Sequence, residues 1–355
     1  MGLPSRTPNT PTILTEPPAR TGAKAARPAG RLDHVAVFRA LPGLGDLLCA
    51  IPAMRALRRA VPDGRLTLIA MPETADRMNR FGDLVDDVVA FPGHPRLPER
   101  QPNWSAIPGF YAAMRSHHFD LAVQLHGSGE IVNPIVAAFD PARILAYRPA
   151  NGDAVGPGTF LEWREAEREA DRWLRLLRSA GFAVDGLGLE FPVLDRDRRE
   201  LAAVTGDLVG RRYAVIHPGA TAPERRWATS AWARLADGLA RLGLTVVLTG
   251  TTGERALSAD IGRRMASPFV DLTGATSLGA LAALIDGAAL VGCPDTGVSH
   301  LAAALGVPSI VVFRSTDPAR WAPADARIHR VLRDPDPVVA LAEAGQLIAI
   351  GRRAA

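Results

Sequence analysis

The segment Ala288–Phe313, AALVGCPDTGVSHLAAALGVPSIVVF, decides the fold class. An apolar run ends at Pro294, a polar Asp-Thr-Gly turn follows, and an apolar stretch then leads into a second run rich in β-branched residues. Short apolar runs bounded by turn residues predict strands, and the spacing of Leu301 and Leu305 predicts a helix between them. The segment is therefore predicted to form one βαβ unit, whose helix begins at the carboxyl edge of a parallel sheet.

That helix start is predicted to bind an anion. The first N–H groups of a helix have no intrahelical acceptor and the helix dipole is positive there, so a turn such as Thr296-Gly297 favours phosphate. Asp295 and His300 are five residues apart, and they share a face only if Asp295 still belongs to the turn. The alternative is that Asp295 only caps the helix and that His300 only packs inside it.

Length and composition indicate a soluble protein of two α/β domains. The chain has 355 residues, 47% of them hydrophobic and 22% charged, which is too long for one ordinary core. Cys49 and Cys293 are far apart and have no metal-ligand spacing, so neither a disulfide framework nor a zinc site is expected, and a reducing cytosol is favoured. No apolar run reaches the roughly 18 residues of a membrane span.

The distribution of charge narrows the expected partners. The net charge is +4, and the excess arginines are scattered along the chain, which favours anionic substrates or a membrane surface over duplex nucleic acid. Residues 1–30 are rich in Pro, Thr, Ala and Arg and lack the apolar centre of a signal peptide. We expect them to form a disordered leader.

A second glycine-rich turn follows the first predicted strand of the main body. Gly43 and Gly45 precede Asp46 and a predicted helix over residues 47–60. A dinucleotide fingerprint would need a third glycine where the chain has Leu48, so a nicotinamide-dependent dehydrogenase is disfavoured. Asp46 either stabilises the helix dipole as a first-turn carboxylate or faces the sheet edge as a general base.

Other polar residues also follow predicted strands. Thr221 and Arg225 come after the strand that begins at Tyr213, and Glu254 comes after the next one, Leu244–Leu248. The carboxyl ends of parallel strands share one edge of the sheet, where ligands bind. A carboxylate there can accept hydrogen bonds from a ribose diol, and an arginine fork can pair with a diphosphate. Taken alone, Arg225 and Glu254 are each better explained as surface charges, and it is their position at one edge that favours a ligand site.

Further candidates lie in the first half of the chain. Arg55 and Arg58 lie on the predicted helix after Asp46, where they would contact a phosphorylated acceptor or anionic lipid, or simply form a solvated face. His126 follows the predicted strand Leu121–Leu125 and would face a substrate, although a lone loop histidine is often incidental. Residues 151–160, with several glycines, are expected to form a mobile loop. A linker between the two halves is expected near residues 195–210.

Taken together, three blocks resemble glycosyltransferase family 9, the bacterial heptosyltransferases: residues 38–62, 216–254 and 272–323. The resemblance implies a GT-B architecture, in which two doubly wound Rossmann-like domains face a cleft. It divides the chain into an acceptor domain over residues 31–200, a donor domain over 201–333, and a C-terminal helix over 334–355 that crosses back to the first domain.

The resemblance also assigns roles to the residues named above. Asp46 matches the family's catalytic base in the turn that holds Gly43 and Gly45. Arg225 falls where the family usually has a lysine near the donor phosphates, a departure that keeps the charge but changes its geometry. The donor nucleotide and diphosphate would be bound by Thr221, Arg225, Glu254, Asp295, Thr296, Gly297 and His300, and the acceptor by Arg55, Arg58 and His126.

The implied reaction is inverting, metal-independent sugar transfer from a nucleotide diphosphate, as in ADP-heptose, to a hydroxyl of a glycan, glycolipid or secondary metabolite. It needs no cofactor and fits lipopolysaccharide core biosynthesis in the cytoplasm, with contact to the inner membrane surface left open. The alternatives are a GT-B enzyme acting on another nucleotide sugar, including a 2-epimerase, and a nucleotide-sugar-binding protein without catalysis.

Overall fold

A computed structural model describes residues 12–14, 32–208 and 210–354, and the chain divides into two compact units, residues 1–188 and 189–355. The first unit contains strands β1 Thr12–Leu14, β2 His34–Arg39, β3 Arg65–Ala70, β4 Asp87–Ala90, β5 Leu121–Gln124, β6 Ile144–Arg148 and β7 Gly158–Glu162. Its helices are α1 Leu44–Ala60, α2 Thr74–Met78, α3 Ile107–Ser116, α4 Val132–Ala137 and α5 Glu169–Ser179.

The second unit repeats this plan of strands and helices. Its strands are β8 Tyr213–Ile216, β9 Thr245–Leu248, β10 Phe269–Asp271, β11 Leu290–Pro294, β12 Ser309–Phe313 and β13 His329–Arg333. Its helices are α6 Asp195–Val204, α7 Thr229–Arg241, α8 Arg255–Arg264, α9 Leu278–Asp286, α10 Gly297–Ala304, α11 Pro318–Trp321 and α12 Pro337–Ala354.

Each unit contains one parallel sheet with the strand order of a doubly wound fold. The orders are β1-β4-β3-β2-β5-β6-β7 and β10-β9-β8-β11-β12-β13. Apart from the added β1, both follow the pattern 3-2-1-4-5-6. In this pattern the first three strands are added toward one side of the sheet and the last three toward the other, so the strand order reverses between the first and fourth strands. The predicted α/β class with two Rossmann-like domains is confirmed. Ligands of such sheets bind where the order reverses, which is beside β2 and β5 in the first unit and beside β8 and β11 in the second.

Strands buried on both faces explain the near-continuous apolar runs of the sequence. Every residue of β11 and of β12 is buried, and Gly292 on β11 leaves room for Ile216 and Trp232, which a Cβ would meet at 2.8 and 3.3 Å. The first core is built on aromatic rings, including Phe38 and Phe91, whose centroids lie 5.0 Å apart edge to face. Both switch points therefore lie on well-packed sheets.

Several elements differ from the sequence expectations. Thr12–Leu14 of the expected disordered leader instead pairs with β4, while most of residues 1–30 lies outside the described ranges. The expected mobile loop over 151–160 contains the start of β7, because Gly158–Glu162 finds a partner in β6. The expected linker begins as helix α6, whose Asp197 accepts the Leu194 N–H at 2.8 Å and caps it. Because α6 packs on α9, the unit boundary lies earlier, at Gly188.

Helix α12 buries one face within the second unit. It packs on α7, and Leu341 lies where a Cβ on Gly238 of α7 would be 2.4 Å away. Ala340, Ala344 and Leu347 complete that buried face. A contact of this helix with the first unit stays a prediction.

We expect acid to destabilise the protein through His329. This residue is 3% exposed, its Nδ1 lies 2.8 Å from Ser309 Oγ, and burial lowers its pKa to about 4 although Asp325 nearby acts in the opposite direction. The unfolded chain, with an ordinary histidine pKa near 6.5, therefore binds more protons between about pH 6.5 and 4. The stability present above pH 6.5 is progressively lost as the pH falls through that window.

Urea unfolding at pH 7 and pH 4.5 measures this effect. The stability difference between the unmodified protein and His329→Gln should shrink by roughly 2 kcal/mol at the lower pH. Burial also lowers the pKa of His34 in the first unit to about 4, so His34 acts in the same direction. It is present in both proteins, and its contribution therefore cancels from the difference. A difference that does not depend on pH would contradict the assignment to His329.

Candidate functional site

Asp46 lies in the first turn of α1, directly after the switch-point strand β2. The helix begins at Leu44, three residues earlier than predicted, so Asp46 belongs to the helix itself. Its side chain is 26% exposed, and a Cβ on Gly43 would lie 2.2 Å from its Oδ2. Only glycine at position 43 leaves this space to the carboxylate, which explains why the turn before the helix is glycine-rich.

Arg39, the last residue of β2, holds Asp46 at two points. Its Nη2 donates to the backbone carbonyl oxygen of Asp46 at 2.9 Å and to Oδ1 at 3.2 Å. The guanidinium is 2% exposed, so this ion pair is shielded from water on the arginine side. One carboxylate oxygen is therefore fixed by Arg39 and the other lies above Gly43.

His126 lies at the end of β5, on the other side of the same switch point. Its ring is almost fully buried and packs near Phe38, with ring centroids 5.7 Å apart. Its Nε2 lies 3.5 Å from Glu99 Oε1. Burial by itself would raise the pKa of Glu99, but the interaction with His126 and a backbone hydrogen bond hold that pKa below its usual value. The structure thus places His126 at the predicted edge, but buried rather than exposed.

Arg55 and Arg58 lie further along α1, away from this edge, and their contact with an acceptor or an anionic lipid stays a prediction. They follow Asp46 by nine and twelve residues, so they lie about 13 to 18 Å further along the helix axis. Arg58 donates to the carbonyl oxygens of Val61 at 3.3 Å and Gly64 at 2.9 Å. It also pairs with Asp86, so its role is to close the far end of α1.

Glu254 occupies the switch point of the second unit. A Cβ on Gly219, in the turn after β8, would lie 1.9 Å from its Oε1, so the carboxylate rests directly on the Gly219 backbone. Its Oε2 accepts from the Thr251 N–H at 2.7 Å and from the Thr251 hydroxyl at 2.9 Å, which closes its own turn. One oxygen therefore fixes the loop and the other faces the turn after β8.

The buried His217, directly after β8, supports the turns at this edge. The backbone N–H of His217 donates to the Gly292 carbonyl oxygen on β11 at 2.8 Å, and the ring Nδ1 lies 3.1 Å from Thr249 Oγ1. Burial lowers the pKa of His217, and the Glu254 carboxylate opposes that effect. The bond to Gly292 continues the parallel pairing of β8 with β11, so the turns after these two strands leave the same edge of the sheet.

Helix α10 begins at Gly297, in the Asp-Thr-Gly turn where the sequence predicts a helix start. Thr296 is the N-cap residue with extended backbone, and both residues are half-buried. Asp295 and His300 are 2% and 5% exposed, and the His300 ring lies 6.0 Å from that of Trp321. Because these two side chains are buried, we expect them to support the turn, while Thr296 and Gly297 present N–H groups to a ligand.

Thr221 and Arg225 lie in the loop after β8. Thr221 is exposed, and Arg225 ends the short 3-10 turn Pro223–Arg225 with its side chain half-buried. The neighbouring Arg226 donates from Nε and Nη2 to the Ala220 carbonyl oxygen at 2.9 and 2.8 Å, which fastens the base of the loop. Arg225 is thus carried on a loop that is fixed at the carboxyl edge of the second sheet.

Sequence reasoning missed Arg39 and His217 as site residues. Arg39 stands at the end of a strand next to a glycine-rich turn, which is a position that could have drawn attention. His217 opens a His-Pro-Gly turn after β8, and its role depends on Thr249 and Glu254, which come from later segments. Nothing in local spacing indicates those partners.

Two parallel doubly wound sheets, each with polar residues at its switch point, are the arrangement expected of a GT-B fold. Residues 165–339 match the family model described as glycosyltransferase family 9 (heptosyltransferase). Lipopolysaccharide heptosyltransferase 3 of Escherichia coli K12 is 35% identical over 129 residues, which cover 36% of this chain and 37% of that protein. The chain thus matches little more than a third of the length of this relative.

Solved structures share the fold over most of the chain. The glycosyl transferase family 9 protein of Veillonella parvula has a TM-score of 0.75 at 19% identity and covers 89% of this chain and 97% of its own. ADP-heptose lps heptosyltransferase II of Escherichia coli has a TM-score of 0.69 at 18% identity, with coverage of 90% and 100%. Residues 165–339 thus match glycosyltransferase family 9, the family that the sequence blocks resemble, and the solved structures share the fold.

Two further observations concern the described residues only. They contain no helix that is both long and apolar enough to cross a bilayer. They also contain no group of three or more His, Cys, Asp or Glu side chains arranged to hold a metal ion.

Proposed function

We propose that this protein is an inverting glycosyltransferase that moves heptose from ADP-heptose to a hydroxyl of a glycan or glycolipid. The family match and the heptosyltransferase names of its relatives support the reaction class and the sugar. One observation carries the proposal: the Glu254 carboxylate, which rests on Gly219, and the start of α10 lie at the same edge of the second sheet. These are the groups that a nucleoside diphosphate needs.

The donor is proposed to bind at that edge of the second unit. A carboxylate accepts hydrogen bonds from the two ribose hydroxyls, which assigns the ribose to Glu254. The N–H groups at Thr296 and Gly297 and the positive end of the α10 dipole then face the diphosphate. Thr221 and Arg225, on the loop after β8, add a hydroxyl and a fixed positive charge.

The proposed chemistry is a single displacement. Asp46 removes the proton from the acceptor hydroxyl, whose oxygen attacks the anomeric carbon while the bond to the diphosphate breaks. Arg225 and the start of α10 stabilise the negative charge that develops on the leaving diphosphate, so these groups take the part that a metal ion plays in other transferases. One displacement on one face of the sugar inverts the configuration at the anomeric carbon.

The proposed acceptor and cellular location are supported by the relatives alone. Lipopolysaccharide appears in the name of the Escherichia coli relative, so we propose an acceptor of the lipopolysaccharide core and a cytoplasmic enzyme. The dispersed arginines would then permit contact with the anionic inner face of the membrane. His126 stays a candidate for the acceptor side because it lies at the same switch point as Asp46.

Binding of the donor tests the proposal before any acceptor is known. Thermal unfolding of the full chain is measured with ADP-heptose, ADP, and UDP- and GDP-sugars, each with a chelator present. A ligand at a hundred times its Kd stabilises the folded state by about 2.7 kcal/mol, which raises Tm by several degrees. We expect ADP-heptose and ADP to do so. Stabilisation by UDP- or GDP-sugars alone, or by none of the compounds, would overturn the donor assignment.

A further inference from the structure

Arg39 is itself held from the side opposite Asp46. Its Nη1 donates a short hydrogen bond to the Leu125 carbonyl oxygen at the end of β5, and a second one to Glu169 Oε1 at 3.3 Å. Its guanidinium carbon lies 5.1 Å from the centre of the Trp173 ring. Arg39 is thereby fixed by β5 and α5 and has little freedom to turn away from Asp46.

Glu169 lies between two guanidinium groups. Its Oε2 accepts from Arg172 Nη1 at 2.7 Å, and both side chains are almost completely buried. Arg172 Nη2 donates to the carbonyl oxygens of Arg164, Glu165 and Glu167 at 2.6, 3.1 and 3.1 Å. The guanidinium of Arg172 thus ties Glu169 to the turn before α5.

The four side chains Asp46, Arg39, Glu169 and Arg172 form a row of alternating charge, which we call the Asp46 relay. It begins at a partly exposed carboxylate and ends at a fully buried arginine. A buried ion pair contributes little net stability compared with an apolar pair of the same size, while removal of one partner leaves an uncompensated charge. Packing alone therefore does not explain why three charges are buried behind Asp46.

We infer that Arg39 is the positioning residue of the transfer reaction, a conclusion that rests on the proposed function, in which Asp46 is the general base. Arg39 binds Oδ1 and the backbone carbonyl oxygen of Asp46, so that Oδ2 above Gly43 is the oxygen that accepts the acceptor's proton. The proton passes from the acceptor hydroxyl to Oδ2, and the acceptor oxygen forms its bond to the anomeric carbon while the bond from that carbon to the diphosphate oxygen breaks and the nucleoside diphosphate leaves with that electron pair. Glu169 and Arg172 keep Arg39 directed at Asp46.

The size of the effect follows from the geometry of proton transfer. A carboxylate held in one rotamer presents the same oxygen to every acceptor, whereas displacement of a reacting group by about 1 Å can reduce turnover about 10²-fold. Lysine at position 39 would keep the charge, but its single ammonium cannot reach Leu125, Glu169 and Asp46 together. Arg39→Lys should therefore lower kcat by about 10- to 100-fold and change the KM for the donor by less than about twofold.

A double-mutant cycle with Asp46 tests the inference in the full chain. Arg39→Lys is compared in the unmodified protein and in Asp46→Asn by kcat, by the KM for ADP-heptose and by Tm. If Arg39 acts through Asp46, its penalty in kcat should disappear in the Asp46→Asn background. Arg178→Lys is the matched control, because Arg178 lies on α5 with Glu169 and Arg172 but pairs with the exposed Asp185 at 3.3 Å, outside the relay. It should change kcat by less than about twofold.

Glu169→Gln provides a second route if Arg39→Lys does not fold. The change keeps the shape of the side chain and weakens the hydrogen bond that holds Arg39. Glu169→Gln should therefore lower kcat in the unmodified protein and leave kcat unchanged in the Asp46→Asn background. A penalty of equal size in both backgrounds, for either variant, would overturn the positioning role while leaving the proposed function intact. Full turnover in Asp46→Asn would instead overturn the proposed function itself.

Discussion

Asp46→Asn is expected to lower kcat by about 10²- to 10⁴-fold, the usual contribution of a general base, and to leave donor affinity within about twofold. Asparagine has nearly the same shape, and its amide can still lie above Gly43, but it does not take a proton from a hydroxyl. The donor should be unaffected because the residues assigned to it belong to the second unit. Initial rates at saturating substrates and calorimetric titration with ADP-heptose give the two numbers.

Asp76→Asn is a suitable control for this variant. Asp76 lies in the first turn of α2, so the change likewise removes a carboxylate from the start of a helix in the first unit. It should leave kcat within about twofold. A protein that only binds nucleotide sugars would show unchanged binding in Asp46→Asn and no turnover in any form, and that pattern would contradict the assignment of catalysis.

Gly219→Ala is expected to weaken ADP-heptose binding by about 10- to 100-fold, since a hydrogen bond to a charged group contributes about 1.5–3 kcal/mol. The new Cβ would lie 1.9 Å from Glu254 Oε1 and 2.2 Å from its Cδ, so the carboxylate must leave its place. Only the end of a half-buried side chain has to move, and Tm should therefore change by a few degrees at most. Titration with ADP-heptose measures the loss of affinity.

Gly253→Ala, in the same turn as Glu254, is the matched control. Its Cβ would meet Thr251 Oγ1 at 3.9 Å, an ordinary contact, so the donor affinity should stay within about twofold. Equal affinities for Gly219→Ala and the unmodified protein would contradict the placement of the ribose at Glu254.

The local fold around the donor edge could be predicted from the sequence. The βαβ unit predicted for residues 288–313 contains β11, α10 and β12. These elements have strong periodicity and clear turn residues at their ends. By contrast, β7 could not be predicted, because it is defined by its pairing with β6 rather than by its own composition.

Site residues that directly follow a strand can be predicted from the sequence. Site residues whose role depends on partners far away in the sequence cannot. Asp46 and Glu254 follow strands of the sheets, and spacing alone draws attention to them. Arg39 and Glu169 are 130 residues apart, and arginines and glutamates in a helix such as α5 normally predict a solvated face. Their burial depends on tertiary pairing, which the sequence pattern does not encode.

The most direct test of the account is to follow the anomeric carbon of the transferred sugar by NMR. The full chain and Asp46→Asn are incubated in parallel with ADP-heptose, a heptose-deficient lipopolysaccharide acceptor and a chelator. The account predicts a new glycosidic bond in the unmodified protein, with the configuration opposite to that of the donor, and at most about 1% of that rate in Asp46→Asn. Retained configuration, or equal rates in the two proteins, would contradict it.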